Sequence, residues 1–369
     1  MHLSLKAIKC IEDNCTKNGI VAASSGPHSK AGGKIHKDYI HIWPRDAVLV
    51  SLELANHNKT GSQIQLHSIC SGLQTCKNTG LLFQRYELDG LPDEFCWCNE
   101  TGKRQLDQDA LRLVAASKLP KLKKNKIYAS FLSLMEKLER EETSTDVWEQ
   151  KQGYFLYTTV ALILGLRAGE KMFGETFESK KLIARLLKSI EYFYCNEKKS
   201  FVKGVSKENK LIDLEVVLAL NLILENDLFC DSKFLIKSLN SLERVEKDLA
   251  RNISGVLIPI RYNGDFWDGE KVGKAGVGRP WLMGSAMISS CYSNIAKNAR
   301  GLGNFVVESF AEEKAKFWLL QFENCPNAEH FPEQICLDGS LPKNGPKNLS
   351  WCAAEYLKAR RLLEELKEN

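Results

Sequence analysis

Two glutamates stand in company that could do chemistry. In STDVWEQKQGYFLYTTVALILGLRAG, Ser144 to Gly169, Trp148 and Glu149 directly precede one of the most apolar runs in the chain. In HFPEQICLDGS, Glu333 follows Pro332 ahead of the last helical segment. An apolar wall disfavours a carboxylate and so keeps an acid protonated, as a general acid must be. A nearby helix N-terminus favours the anion, the form a general base needs. Each glutamate also has an ordinary reading. Trp-Glu before an apolar helix is commonly core plus a first-turn charge, and Pro followed by an acid is also loop and capping chemistry. Their shared placement has to separate these readings.

Further polar and aromatic residues cluster at recurring points. HIWPRDA holds Trp43, Arg45 and Asp46; GKRQLDQDA holds Gln105 and Asp107. DVWEQ adds Gln150, KLIDLE holds Asp213, and IRYNGDFWDG with VGRPW holds Arg261, Trp267, Arg279 and Trp281. Asp213 reads as a helix N-cap; Asp107 fits either a cap or a substrate contact. Trp318 and Trp351 read as core. Indole faces suit the C–H faces of sugar rings, and charged groups supply directional bonds to hydroxyls. Carboxyls flanked by aromatics are the chemistry of glycosidic bonds.

The elements that must position these residues follow from periodicity. Apolar residues recur at helical spacing over 2–14, 43–57, 62–77, 106–118, 126–141, 152–170, 174–196, 212–226, 231–248, 281–298, 302–321 and 350–366. Short strands are expected at 81–90, 200–204 and 255–264, in connections between helices. No Pro/Gly/Ser linker, fixed-period repeat or low-complexity tract divides the chain. The expectation is one all-α domain over 1–369, made of six helix pairs. The clusters fall before the even-numbered helices. If those helices form the inside of a ring, their N-termini meet at one mouth, which is the geometry of an (α/α)6 barrel.

Composition bounds the alternatives. The chain has 369 residues, 44% hydrophobic, which allows a sizeable core. Its net charge of +5 is spread out, and KLPKLKKNK (118–126) has no interleaved aromatics, so no nucleic-acid partner is expected. No run reaches the roughly 18–20 apolar residues of a membrane span. MHLSLKAIKCIEDNC has no continuous apolar stretch, so no signal peptide is expected and the twelve cysteines read as thiols in a cytoplasmic setting. Cys70 with Cys76, and Cys96 with Cys98, match no standard zinc spacing, so no metal is expected. The glycines of KAGGK (30–34) and KVGKAGVG (271–278) follow no strand-then-helix pattern, no nucleophile elbow pairs with a histidine, and no cofactor is implied.

GIVAAS, YIHIWPRDA, QLDQDA, DVWEQ, GVLIPIRYNGD, RPWLMGSAM, FPEQ and LSWCAAEY occur in this order. Together they resemble the catalytic domain of glycoside hydrolase family 15, the glucoamylases, glucodextranases and microbial trehalases, from about Gly19 to Tyr356. The resemblance implies roles. Glu149 matches the general acid and Glu333 the general base that activates water. Arg45 and Asp46 match the pair that grips the terminal glucose. Arg261 matches an arginine between the sites flanking the scissile bond, and Trp43, Trp148 and Trp281 match pocket aromatics. Gln150 stands where many relatives have a second glutamate, which bears on leaving-group specificity. Prokaryotic relatives usually carry an N-terminal β-sandwich domain, whereas here the family pattern begins almost at once, and no starch-binding module is visible.

The resemblance implies an exo-acting, inverting α-glucosidase that frees β-glucose from small oligosaccharides. Maltooligosaccharides come first; trehalose or isomaltose-type substrates are the alternatives. A non-catalytic sugar-binding barrel, like those of phosphorylase kinase subunits, is the competing class. A phosphorylase of similar shape would use phosphate in place of Glu333.

Overall fold

The computed structural model describes residues 2–24, 39–77, 80–94, 96, 104–122, 125–229, 231–265, 267, 278–342 and 345–368. Cys98, the 30–34 glycine segment and all of 271–277 lie outside the described residues. The helices are α1 His2–Asp13, α2 Pro44–Leu54, α3 Lys59–Gly72, α4 Leu106–Ser117, α5 Asn125–Glu139, α6 Leu156–Phe173, α7 Phe177–Ser189, α8 Leu214–Glu225, α9 Ser232–Leu249, α10 Leu282–Gly301, α11 Phe305–Glu323 and α12 Ser350–Glu368. Each falls on a segment expected from periodicity.

The strands are small antiparallel pairs: β1 Ser144–Thr145 with β2 Gln152–Gly153, β3 Tyr194–Cys195 with β4 Ser200–Phe201, and β5 Ala250–Ile253 with β6 Val256–Pro259. The strands expected at 200–204 and 255–264 are therefore present but shorter. The one expected at 81–90 reduces to single bridges from Tyr86 to Ile42 and Pro92. The helix expected to run to 196 ends at Ser189, followed by a 3-10 turn over Ile190–Phe193. There the consecutive aromatics favour an extended chain, and Phe193 accepts a backbone bond from Val202.

The even helices close a ring. α2 packs on α4, α4 on α6, α6 on α8, α8 on α10, α10 on α12, and α12 back on α2. The odd helices lie outside it. Burial follows from this. α10 is buried on nearly every face, as is α8, whereas α7 and α9 bury one stripe. A helix apolar all round belongs in an interior, and an amphipathic one at the surface. Gly165 of α6 lets the ring close tightly: a Cβ there would stand 2.6 Å from the Ala110 backbone of α4.

Helix starts divide the same way. The outer helices α3, α7, α9 and α11 are capped by the side chains of Asn58, Thr176, Asp231 and Asn304. The inner helices α2, α4, α6 and α10 begin at Trp43, Gln105, Phe155 and Trp281 without a side-chain cap. Of the inner starts, α8 carries one, from Asp213 to the Glu215 N–H. The leading N–H groups of α4 and α6 are taken up by Ser144 Oγ and the Lys203 carbonyl instead, while Trp43 and Trp281, the residues before α2 and α10, line a cavity at the mouth of the ring.

Candidate active site

At that mouth lies a cavity of about 240 Å³ lined by residues of four inner-helix starts and their loops. Tyr39, Trp43, Arg45 and Asp46 come from the entry to α2, and Val147 to Gln150 from the loop before α6. Arg261, Trp267 and Trp281 precede or cap α10, and Glu333, Leu349 and Trp351 lead into α12. Five of the chain's seven tryptophans therefore meet in one pocket, a density that core packing alone does not require. Trp351, expected as core, lines this cavity, with the Arg45 guanidinium 5.5 Å above its ring. Trp318 is fully buried elsewhere, as expected.

Glu149 sits at the tip of the β1–β2 hairpin. Ser144 pairs with Gly153 and Thr145 with Gln152, so residues 146–151 form a tight loop. The Glu149 N–H donates to the Asp146 carbonyl at 2.9 Å, and Asp146 Oδ1 accepts from the Gln150 and Lys151 N–H groups at 2.6 and 3.2 Å. Glu149 itself is left-handed, with φ of 61°. That costs a residue with a side chain roughly 1–2 kcal/mol, and such strain concentrates at functional sites. Trp43 Nε1 donates to Glu149 Oε1 at 3.0 Å and Gln84 Nε2 to Oε2 at 2.5 Å. The sequence pointed to an apolar wall. Trp43, Val147 and Trp148 line the cavity with Glu149, and its carboxyl also accepts from two N–H donors.

Glu333 is buried. The Tyr39 hydroxyl donates to Oε1 at 2.5 Å and Trp267 Nε1 to Oε2 at 3.3 Å. These two side chains donate to this carboxylate, and Leu349, directly before α12, lines the same cavity. Burial, and then the neighbouring Glu333 charge, push the Tyr39 phenol well above its ordinary range, so it stays a donor. Phe331, two residues before Glu333, is also left-handed, at φ of 41°.

The other expected residues divide between the wall and the layer behind it. Arg45 Nε donates to Asp46 Oδ1 at 2.9 Å, and Nη1 lies 3.8 Å from Asp107 Oδ2. Burial opposes the Arg45 charge, yet Asp46 and Asp107 together hold its pKa above the usual value. Asp107 is fully buried and reaches the cavity only through Arg45; burial raises its pKa to about 6. It is not the α4 cap, since the helix begins at Leu106 after Gln105. Gln105 is likewise behind the wall, accepting from Gln108. Gln150 faces the cavity and accepts from the Tyr262 hydroxyl. Arg261 forms a double bond pair with Asp265, at 2.7 and 2.5 Å. Its guanidinium lies 5.2 Å from the Trp148 ring and 4.9 Å from the Trp281 ring, against two indoles that meet edge-on.

Sequence reasoning did not single out Tyr39 or Gln84, and it named Trp267 in the cluster before α10 without giving it a role. Tyr39 sits inside a segment that drew notice for other residues; Gln84 has no local signal. His41, Glu87 and Asp93 gather near Trp43, with His41 Nε2 3.1 Å from Glu87 and 3.0 Å from Asp93. Arg85 Nε also donates to the same Asp93 oxygen at 2.7 Å. No helix among the described residues is long and apolar enough to cross a membrane.

Twelve helices paired into a closed toroid, with carboxyls and indoles at the inner N-terminal mouth, define a helical-toroid class of protein. Comparison narrows the class: the profile described as Glycosyl hydrolases family 15 matches residues 2–309, and the chain belongs to that family. An uncharacterized glycosyl hydrolase from Methanocaldococcus jannaschii is 24% identical over 361 residues, 93% of this chain. The chain spans about half of that protein, 53%. The glucoamylase of Saccharomycopsis fibuligera superposes with a TM-score of 0.76 at 16% identity, covering 99% of this chain and 94% of that one. The family 15 glucoamylase of Hypocrea jecorina gives 0.75 at 17% identity, covering 98% and 71%. The profile ends before Glu333, whereas these superpositions extend over almost the whole chain.

Proposed function

We propose that the chain is an exo-acting, inverting α-glucosidase with Glu149 as general acid and Glu333 as general base. One observation carries the reading. Two glutamates from loops before different inner helices line one small cavity, each held by its own pair of donors, among five indoles. Glu149 would protonate the glycosidic oxygen as the bond breaks. Glu333 would take a proton from water as it attacks the anomeric carbon from the other face, giving β-glucose. Asp46, backed by the buried Arg45, would hold the outer hydroxyls of the terminal ring, so that cleavage proceeds from the chain end. Arg261, packed against Trp148 and Trp281, would stand beside the leaving sugar.

The substrates proposed are short maltooligosaccharides first, with trehalose and isomaltose-type sugars as the alternatives. Gln150, bonded to Tyr262, is the residue through which leaving-group preference would act. Both carboxyls remain in place, which favours catalysis over a binding-only barrel. The test is glucose release from maltose, maltotriose, isomaltose, dextran and trehalose, with proton NMR of the first anomer formed. β-Glucose from one of these supports the reading. α-Glucose first would refute inversion, and no glucose from any of them would point to the binding barrel.

A further inference from the structure

Beneath the Trp148–Glu149 turn lies a buried ionic hub outside the cavity. Lys203 is 1% exposed. Its Nζ lies 2.7 Å from Asp146 Oδ2, 3.0 Å from Asp213 Oδ2 and 3.5 Å from Glu215 Oε2, all three carboxyls being fully buried. Two of these acids hold the turn from different sides. Asp146 accepts the Gln150 and Lys151 N–H groups with its other oxygen, and Asp213 accepts the Trp148 indole N–H at 2.8 Å. The backbone of Lys203 joins in: its carbonyl accepts the Leu156 N–H at the start of α6, and its N–H donates to Leu211. One cation thus ties the turn carrying Glu149 to the N-terminus of α8 and the entry of α6.

The arrangement is more than incidental packing. A single positive charge among three buried acids is an expensive arrangement in a dry interior, and apolar residues in place of the whole group would fill the space at lower cost. Burial, and then the neighbouring acids Asp213, Asp146 and Asp107, outweigh Lys203 and push the Glu215 carboxyl well above its usual range. Asp146 and Asp213, at 2.7 and 3.0 Å, are nearer to Lys203 Nζ than Glu215 at 3.5 Å, and they are the two that reach the turn. The turn needs an outside brace because Glu149 is held left-handed at φ of 61°.

We propose that Lys203 is a positioning residue for the proton donor, fixing the aim of Glu149 and the plane of Trp148 by clamping Asp146 to Asp213. The proposal rests on the reading of Glu149 as general acid. Lys203 touches no substrate; it acts through the two aspartates.

The test is Lys203→Met in the full chain, with thermal unfolding and near-UV dichroism as folding controls. A loose acid should slow bond cleavage that needs a proton more than cleavage that does not. The kcat on maltose is expected to fall about a hundredfold, the cost of roughly ångström-scale misplacement. KM and the turnover of α-glucosyl fluoride should change only about threefold or less, since fluoride leaves with little help. Hydrogen exchange at the Gln150 and Lys151 amides should speed up by about tenfold or more as the Asp146 anchor loosens. Equal losses on both substrates, or wild-type exchange at those amides, would overturn the proposal. If Lys203→Met does not fold, the double variant Lys203→Met with Asp213→Asn carries the same test. It keeps an acceptor for Trp148 and removes one uncompensated charge. If the wild-type protein hydrolyses no glucoside, the functional reading fails. The exchange measurement still decides whether Lys203 orders the turn.

Discussion

Removing the proton of Glu149 while keeping its shape is the sharpest perturbation available, and the structure says what Glu149→Gln would leave behind. The carboxyl has a donor at each oxygen, Trp43 Nε1 at 3.0 Å and Gln84 Nε2 at 2.5 Å. An amide cannot accept from both on two oxygens. It can keep its oxygen toward Trp43, whose N–H has no alternative role. Gln84 can rotate its own amide to present an oxygen to the new NH2. Both bonds then survive, and the stability change should stay under about 1 kcal/mol. Catalysis should not survive in the same way. General acid assistance is worth about 10²–10⁴ in rate, or roughly 2.7–5.5 kcal/mol of barrier. That loss should appear in kcat on maltose, whose leaving alkoxide needs the proton. It should nearly vanish on α-glucosyl fluoride. Glu333→Gln should slow both substrates alike, since both need activated water. The assay is steady-state turnover of the two substrates by the two variants, with unfolding midpoints as controls. A Glu149→Gln protein as impaired on the fluoride as on maltose would refute the assignment. So would wild-type turnover of maltose.

Asp46→Ala should lower kcat/KM by about thirty- to thousandfold, some 2–4 kcal/mol, because a charged acceptor is lost and the buried Arg45 is left with the more distant Asp107 carboxyl at 3.8 Å. A rate within a fewfold of wild type would remove Asp46 from the site. Asp107 titrates at about 6 in the fold against 3.8 for the free side chain, so between those values the folded state binds more protons. Its contribution to stability is therefore present at low pH and lost as pH rises through that window, by about 3 kcal/mol. Urea unfolding from pH 7 down to 4 should show wild type gaining on Asp107→Asn, and a pH-independent gap would count against this. Alkylation of denatured, unreduced protein should label all twelve cysteines, and a pair that reacts only after reduction would overturn the thiol reading. In the folded protein, Cys10, Cys70 and Cys325 should react slowly, since burial raises each thiol to about 12.

The sequence by itself determined the helices and which of them lie inside. The polar and aromatic clusters before the even helices pointed to those helices as the inner ones, and α8 and α10, buried on nearly every face where α7 and α9 bury one, agree with that. It also pointed to Trp43, Arg45, Asp46, Trp148, Glu149, Gln150, Arg261, Trp281 and Glu333 together, because each lies at an inner-helix start or in the connection leading into one, and those starts share one mouth. Tertiary structure decided what each group meets. The donors on Glu149 come from residues 43 and 84, and those on Glu333 from residues 39 and 267. No local pattern links positions that far apart, since they become neighbours only when the ring closes. Gln105 and Asp107 share a helix start with no visible difference from the others, yet burial sends them behind Arg45. Lys203 read only as a charge within SFVKG. Its three acids lie before or within the first turns of two other inner helices, and only the packing of α6 against α8 turns a lone lysine into the brace beneath Glu149.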